Sequence, residues 1–231
     1  IRDRCNAVIE SLENNDIPGL DEDLKTRFLA ESLFIRAHYF YHLVQQFGDI
    51  PMPLKPTNSV ETTAHKTKVD EVWNQIVTDL EFAVENLPET YQASEFGHIT
   101  KYAAMHHLSR VYLTLKRSDD DLKKALNYAE QVINSGKYSL VKSHAELWDI
   151  NNKNNSEVLF SVLYTQNAEL NGDGNTAHMY FCSAYSEEHP AVKRVIEYGR
   201  PWSRERSSDF AISLFDKTKD QRWDDCFISR W

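Results

Sequence analysis

The chain has 231 residues, of which 41% are hydrophobic and 12% aromatic, and its formal net charge is −9. This length and composition are those of a folded protein with a full hydrophobic core, not of a disordered chain. The negative charge and the lack of a basic run or a nucleic-acid-binding motif exclude DNA and RNA as expected partners. No apolar stretch of the sequence reaches the length of a transmembrane helix.

Helical periodicity of the apolar residues predicts a mainly α-helical protein. The predicted helices span 3–14, 24–47, 69–87, 100–115 and 122–134, followed by a last short helix over 209–216. Residues 51–67, which contain several prolines and threonines, form the predicted linker between the second and third helices. Thr100 is the expected N-cap of the fourth helix, and Gly136 is expected to end the fifth.

Each predicted helix carries an apolar stripe that we expect to face the core. In the first and fifth helices the expected inward residues are Val8, Ile9, Leu12, Ala125, Leu126, Ala129, Val132 and Ile133. In the third and fourth they are Val72, Trp73, Ile76, Leu80, Ala83, Leu87, Ala103, Ala104, Leu108, Val111, Tyr112 and Leu115.

The second helix is apolar on almost all sides from residue 30 to residue 47, so we expect other helices to cover it on more than one flank. Its expected inward residues are Leu33, Phe34, Ala37, Phe40, Tyr41, Leu43, Val44 and Phe47. Gly48 stands where a C-cap glycine belongs, and the prolines that follow prevent the helix from restarting. Arg36, which lies among aromatic residues, is predicted to stack on a ring or to pair with Glu31 or Asp49.

The pairing of helices is similar to that of degenerate tetratricopeptide hairpins. Leu108-Ser109-x-x-Tyr112 stands where that repeat has L-G-x-x-Y, and Ala125 and Ala129 are small enough to let the second helix of a hairpin approach. Ser109 replaces the repeat glycine, so an ordinary antiparallel helical bundle remains the alternative.

After residue 150 the sequence becomes richer in loop-forming residues. We therefore divide the chain into a tetratricopeptide-like helical region, 1–150, and a loop-rich segment, 151–231. Residues 157–165, EVLFSVLYT, have the β-branched and aromatic content of a short strand, and the segment is predicted to carry one or two strands. Residues 166–208 are predicted to be mostly irregular.

The segment AESLFIRAHYFYHLVQQFGDIP, residues 30–51, closely resembles the signature helix of the SusD/RagB family of Bacteroidetes outer-membrane lipoproteins. The matching positions are Ala30, Glu31, Phe34, Arg36, Ala37, Tyr39, Phe40, Leu43, Val44, Phe47, Gly48, Asp49, Ile50 and Pro51. The resemblance to the family's sequence pattern extends to the third, fourth and fifth helices and to the Asn-rich loop before residue 157. One departure is His98, where family members usually have arginine; histidine keeps donor capacity without a permanent charge.

The resemblance implies a SusD-like α-α superhelix and a role in nutrient uptake for polysaccharide utilisation. It implies capture of an oligosaccharide or starch-like glycan at the cell surface and delivery to a SusC-like TonB-dependent transporter. It also implies a lipid anchor in the outer membrane. The chain begins at Ile1 without a signal peptide or lipobox cysteine, so we expect it to be a processed or truncated piece of a longer protein.

Aromatic residues concentrate in the segment 178–202, HMYFCSAYSEEHPAVKRVIEYGRPW. Sugar rings stack on aromatic faces while neighbouring polar groups bind the hydroxyls. The predicted ligand-binding residues are Trp202, Tyr185, Tyr198, Tyr180, Arg200 and Asn175. The alternative is that these aromatic side chains only seal the loop region onto the helices.

We predict no catalytic residue, no metal and no cofactor. His38 and His42 have a metal-binding spacing on a helix, but no third ligand is evident, so a structural role is favoured. Three cysteines at wide spacing (Cys5, Cys182 and Cys226) predict buried free thiols and neither a zinc site nor a disulfide framework.

Three other functions stay open at this point. The ligand could be a peptide, as for some family members, or the helices could form a tetratricopeptide scaffold for protein interaction. A helical glycoside hydrolase would use a pair of acidic residues, and the candidates are Glu187-Glu188 and Asp224-Asp225. Two acids that are adjacent in sequence do not give the separation between carboxyl groups that hydrolysis needs.

Overall fold

The computed structural model describes residues 1–60, 62–164, 167, 175, 180, 202 and 204–226, with the side chains of Ile150 and Cys226 excepted. Over these residues the chain is mainly helical, which confirms the predicted fold class. It divides into two compact units. The first consists of Ile1–Leu140 and Ser156–Ser161, and the second of Val141–Asn155 and Val162–Trp231.

The first unit is a succession of five helices. They are α1 (Arg2–Glu13), α2 (Glu22–Phe47), α3 (Val69–Asn86), α4 (Lys101–Leu115) and α5 (Asp119–Asn134). A short 3-10 helix, Ala93–Glu95, precedes α4. Each helix packs against the next one along the chain, as in tetratricopeptide-like arrays.

Side-chain caps mark where α2, α4 and α5 begin. The Asp21 carboxylate accepts hydrogen bonds from the backbone N–H groups of Asp23 and Leu24 at the start of α2. The predicted cap of α4 is confirmed, because the Thr100 hydroxyl accepts from the Ala103 N–H at 3.1 Å. Each of these caps satisfies donors that the first helical turn cannot pair internally.

The core lies mainly between α2, α3 and α4. Most of the predicted inward residues are buried there, including Phe34, Ala37, Phe40, Tyr41, Val44, Val72, Ile76, Leu80, Ala83, Ala103, Ala104, Leu108, Val111 and Tyr112. Phe160 also joins this unit, with its ring centroid 5.3 Å from that of Phe34 in an edge contact.

Four predicted inward residues are exposed instead, and the prediction was wrong for them: Val8, Phe47, Leu126 and Ile133. Helix α5 buries Ala125 and Val132 against α4, and Leu126 and Ile133 each lie one residue, about 100° around the helix, from that stripe. Phe47 is the last residue of α2 and is 65% exposed. An outer helix buries a narrower stripe than a central one.

Arg36 does not stack on a ring or pair with Glu31 or Asp49, so that prediction was wrong. Its guanidinium makes two hydrogen bonds of 2.8 Å to the carboxylate of Asp79 on α3, and both side chains are almost fully buried. Burial raises the pKa of Asp79, and the donors of Arg36 and Gln75 oppose that rise. The pair ties α2 to α3 inside the core.

The carboxylates of Glu31 and Asp49 have partners nearer the surface. Asp49 accepts hydrogen bonds from the Lys68 ammonium and from the Val69 N–H, both at 3.0 Å, at the start of α3. Glu31 accepts a hydrogen bond from the Tyr91 hydroxyl at 3.0 Å, and its Oε1 lies 2.9 Å from His98 Nδ1. His98, the position that departs from the resembled pattern, therefore has a polar contact with Glu31.

The second unit contains short helices: α6 (His144–Leu147), a 3-10 turn (Ile150–Asn152), α7 (Asp209–Ser213) and α8 (Arg222–Cys226). Helix α6 packs against α8. No helix among the described residues has the length and apolarity needed to cross a membrane.

The predicted strand over 157–165 is not formed in the described residues 157–164, so this prediction was wrong. A strand requires a neighbouring ladder, and the backbone pairing found in the described chain is an isolated bridge between Ile50 and Thr67. Leu159 and Phe160 instead pack against the helical core. Val162, Leu163 and Tyr164 are exposed and belong to the second unit, so only the first half of the segment contacts the helical core.

Cys5 is a buried free thiol, as predicted, and burial raises its pKa. Cys182 and the side chain of Cys226 lie outside the described residues, so their state stays a prediction.

Lys116 ends α4 in the left-handed conformation, with φ 42° and ψ 39°. A side chain with a Cβ is disfavoured there by about 1–2 kcal/mol, whereas glycine is not. We expect Lys116→Gly to raise the free energy of unfolding by about 0.5–1 kcal/mol in urea titration. Lys116→Ala is the matched control, because it removes the same charge and keeps the Cβ; equal stability of the two variants would contradict the explanation.

Candidate functional site

The predicted ligand-binding residues fall into two groups. Tyr185, Tyr198 and Arg200 lie outside the described residues. Asn175, which is exposed, and the aromatic residues Tyr180 and Trp202 are described, and all three belong to the second unit. The site can therefore be built from Tyr180 and Trp202.

Tyr180 and Trp202 are in direct contact. Their ring centroids lie 4.8 Å apart and the ring planes are almost perpendicular, which is the favoured edge-to-face arrangement. Tyr180 is half-buried and Trp202 is 39% exposed. Two aromatic residues 22 positions apart in the chain thus form one surface feature, and part of it faces solvent.

Backbone hydrogen bonds hold this pair in place. The carbonyl oxygen of Tyr180 accepts from the backbone N–H groups of Arg204 at 3.0 Å and of Glu205 at 3.1 Å. The segment that carries Trp202 is therefore fixed against Tyr180 by main-chain contacts as well as by the rings.

Arg204 completes the feature. Its guanidinium carbon lies 5.1 Å from the centroid of the Trp202 ring and 5.7 Å from that of Tyr180, within the range of cation–π attraction. The sequence prediction missed Arg204 and selected Arg200. In the sequence, Arg204 stands two residues after Trp202, and this is the spacing at which an extended segment would bring two side chains to one side.

This Tyr180 cluster (Tyr180, Trp202 and Arg204) combines apolar ring surface with a fork of N–H donors. Guanidinium donors can bind hydroxyl oxygens, and aromatic rings can stack against the C–H faces of a sugar. The arrangement suits the binding of a polyhydroxylated ligand. Among its three members there is no acid–base pair that would serve catalysis.

In a second aromatic group of this unit, neighbouring cationic side chains lie over the rings. The Lys217 ammonium lies 4.1 Å from the centroid of the Trp223 ring, and the Arg222 guanidinium lies 5.5 Å from that of Phe215. Arg222 also donates to Asp220 at 2.8 Å, and this hydrogen bond lowers the pKa of Asp220. The half-buried Trp223 ring of α8 thus packs against Phe215 and Lys217 from the segment before that helix.

A cavity of about 510 Å³ lies between α6 and α8. The described residues that line it are His144, Ala145, Trp148 and Asp225. The Trp148 Nε1–H donates to His144 Nε2 at 2.9 Å, and the indole is 72% exposed. The sequence prediction did not select Trp148, because it stands outside the aromatic-rich segment.

The histidines that were considered as metal ligands pack among aromatic rings in the first unit. The His38 ring centroid lies 4.6 Å from that of His42 and 5.2 Å from that of His107. Burial lowers the pKa of His38, and it lowers the pKa of His107 to about 3. Among the described residues, no group of three or more His, Cys, Asp or Glu side chains could hold a metal ion.

Comparison with known proteins identifies a family that the chain matches. The SusD-like family model described as "Starch-binding associating with outer membrane" matches residues 3–113. SusD-like protein P2 of Formosa agariphila is 30% identical over 200 residues, which cover 84% of this chain and 37% of that protein.

Solved structures show the same fold. A laminarin binding SusD-like protein matches with a TM-score of 0.66 and 27% identity over 77% of this chain and 40% of its own. A structure with xylogluco-oligosaccharide matches with a TM-score of 0.63 and 26% identity over 70% of this chain and 33% of its own.

The chain spans between 29% and 37% of the length of the curated relatives it matches. The signature helix that was quoted from the sequence is α2, and it lies inside the region that the family model covers. Over the part that these matches cover, the chain belongs to the SusD/RagB family.

Proposed function

We propose that this protein binds a glycan at the cell surface and does not cleave it. The observation that carries the proposal is the Tyr180 cluster, in which the Trp202 ring is partly exposed and the Arg204 guanidinium lies beside it. Family membership supports the proposal, since one matched relative is a laminarin binding protein and another structure was determined with xylogluco-oligosaccharide.

The binding mode follows from the chemistry of the cluster. A pyranose ring stacks its C–H face on the exposed part of Trp202, and hydroxyl oxygens accept hydrogen bonds from Arg204. The loop-rich segment 151–231 supplies the ligand face in this proposal, and Tyr185, Tyr198, Arg200 and Asn175 extend it. Affinity rests on stacking and a few hydrogen bonds.

The family supports a proposal for the partner and the location as well. The family model describes association with the outer membrane. We assign the protein to the outer surface of that membrane, with a lipid anchor in the longer precursor and a SusC-like TonB-dependent transporter as the recipient of the glycan. Pull-down of the transporter by the tagged protein from solubilised outer membranes tests this partnership.

Isothermal titration with laminarin and with a xyloglucan oligosaccharide tests the binding role. We expect saturable binding to at least one of them and about tenfold weaker binding by Trp202→Ala, because losing one stacked ring costs about 1.4 kcal/mol. Phe96→Ala is the matched control, since Phe96 is 41% exposed and belongs to the first unit, outside the Tyr180 cluster.

Two results would contradict the proposal. One is the lack of binding to a broad glycan panel, particularly if peptides bind instead. The other is release of reducing sugar during prolonged incubation, which would indicate a glycoside hydrolase.

A further inference from the structure

The cavity between α6 and α8 is separate from the Tyr180 cluster in its residues, and its chemistry is also that of a saccharide site. We propose that Trp148, His144 and Asp225 form a second subsite, which takes a pyranose ring of a neutral glycan. The inference rests on the proposed glycan-binding function and adds to it a specific platform and a charge preference.

The Trp148 indole is held in one orientation although it is exposed. Trp148 follows the last residue of α6, and His144 is the first residue of that helix, so the two side chains are four positions apart. The indole N–H donates to His144 Nε2 at 2.9 Å, which fixes the edge of the ring. A ring already fixed in its binding orientation loses little conformational entropy when a ligand stacks on it.

The face of this ring is more open than those of the other tryptophans described in the second unit. Arg204 lies 5.1 Å from the Trp202 centroid, and Lys217 lies 4.1 Å from that of Trp223. Within the described part of the chain, no cationic group lies over Trp148, which is 72% exposed compared with 39% for Trp202. So large an apolar surface at the wall of a cavity is typical of a binding site.

Polar groups at the cavity wall can bind the sugar hydroxyls. His144 Nε2 accepts the indole N–H, and Nδ1 of the same ring lies 3.9 Å from Asp225 Oδ2. The distance is longer than a hydrogen bond, which leaves the Asp225 carboxylate able to accept from a ligand hydroxyl. Ala145 adds a small apolar wall without a competing polar group.

The size and charge of the cavity limit the ligand class. A volume of about 510 Å³ is within the usual range for small-molecule sites, roughly 300–1,000 Å³. The carboxylate of Asp225, the adjacent Asp224 and the chain's net charge of −9 repel anionic sugars such as uronates and sulfated residues. The site therefore favours neutral rings.

Isothermal titration with a laminarin hexasaccharide, a xyloglucan oligosaccharide and an oligogalacturonate tests this subsite. We expect Trp148→Ala to bind the better of the two neutral probes about tenfold more weakly than the wild type. We expect Trp148→Phe, which keeps a ring, to lose less. Phe210→Ala is the matched control, since Phe210 is also 72% exposed and lies in the same unit, and it should bind like the wild type.

Asp225→Asn tests the charge preference. We expect it to weaken binding of the neutral probe and to improve binding of the oligogalacturonate relative to the wild type. Wild-type affinity of Trp148→Ala for a neutral probe that the wild type binds would overturn the subsite while leaving the proposed function standing. Tighter wild-type binding to the oligogalacturonate than to either neutral probe would overturn the charge preference. No binding by the wild type, either to these probes or to a broad glycan panel, would instead contradict the proposed function, and the subsite with it.

Discussion

Arg36→Met is expected to lower the free energy of unfolding by about 3–5 kcal/mol, measured by urea titration at neutral pH. The reason is the state in which the substitution leaves Asp79. That carboxylate is 2% exposed and loses two charge-assisted hydrogen bonds of 2.8 Å, with Gln75 as the remaining partner at 2.7 Å. An uncompensated buried charge is far more costly than a broken pair at the surface.

The double variant Arg36→Met/Asp79→Leu distinguishes two energies. One is the cost of leaving the buried Asp79 carboxylate unpaired, and the other is the net contribution of the ion pair to stability. Two apolar side chains of similar volume can replace a buried ion pair at little cost, so the double variant should recover much of the lost stability. Lys68→Met is the control, because it breaks the Lys68–Asp49 pair, whose lysine side chain is 75% exposed, and should cost less than about 1 kcal/mol. A double variant no more stable than Arg36→Met would refute this account.

The Arg36–Asp79 pair also shows what sequence reasoning could not supply. The candidates considered for Arg36, Glu31 and Asp49, were near it in sequence, whereas the true partner lies 43 residues away on α3. A signal was present, because Asp79 stands within the apolar stripe of α3, beside Ile76 and Leu80. A charge in such a stripe requires a buried partner, but only the packing of the helices decides which one.

Helix positions were predictable because periodicity is a local property of the sequence. Every predicted helix of the first unit exists, and its ends differ from the prediction by at most about three residues. The width of each buried stripe was not predictable, since it depends on neighbours: Leu126 and Ile133 follow the helical pattern and are still exposed. The strand over 157–165 was wrong for a related reason, since Leu159 and Phe160 pack on the helical core while Val162 and Leu163 are exposed and have no neighbouring strand among the described residues.

The candidate site was predictable in part. Aromatic density pointed to Tyr180 and Trp202, which the fold brings into contact. Arg204 and Trp148 were missed, because their roles depend on which groups meet in space. Trp148 is exposed and its indole donates a hydrogen bond to His144, which distinguishes it from a tryptophan buried in the core. Neither property can be seen in the sequence.

His107→Leu is expected to reduce the loss of unfolding free energy that occurs as the pH falls from 7.5 to 4. His107 lies on α4, is 5% exposed and has no hydrogen-bond partner for Nε2. Its ring contacts those of Phe34, His38 and Tyr41 on α2. The charged and titratable groups that act on it are His38 and His42 from α2, and His106 and Arg110 from its own helix; together with burial they lower its pKa to about 3.

The direction of the effect follows from proton uptake. The unfolded chain protonates this histidine near pH 6.5, whereas the folded protein keeps it neutral down to about pH 3. The unfolded state therefore binds more protons between these values, and the stability that His107 allows at neutral pH is lost as the pH falls. At 1.36 kcal/mol per pH unit, the loss reaches roughly 3 kcal/mol at pH 4.

Urea titrations of wild type and His107→Leu from pH 7.5 to pH 4 measure this difference directly. Acidic groups such as Asp49, whose pKa is lowered by its hydrogen bonds to Lys68 and Val69, also destabilise the fold at low pH, but they are present in both proteins and cancel. The variant should therefore be close to wild type at pH 7.5 and more stable at pH 4. His65→Leu, at an exposed histidine, should keep the wild-type profile. Parallel profiles for wild type and His107→Leu would show that the buried imidazole takes up its proton without opening the contact between α2 and α4.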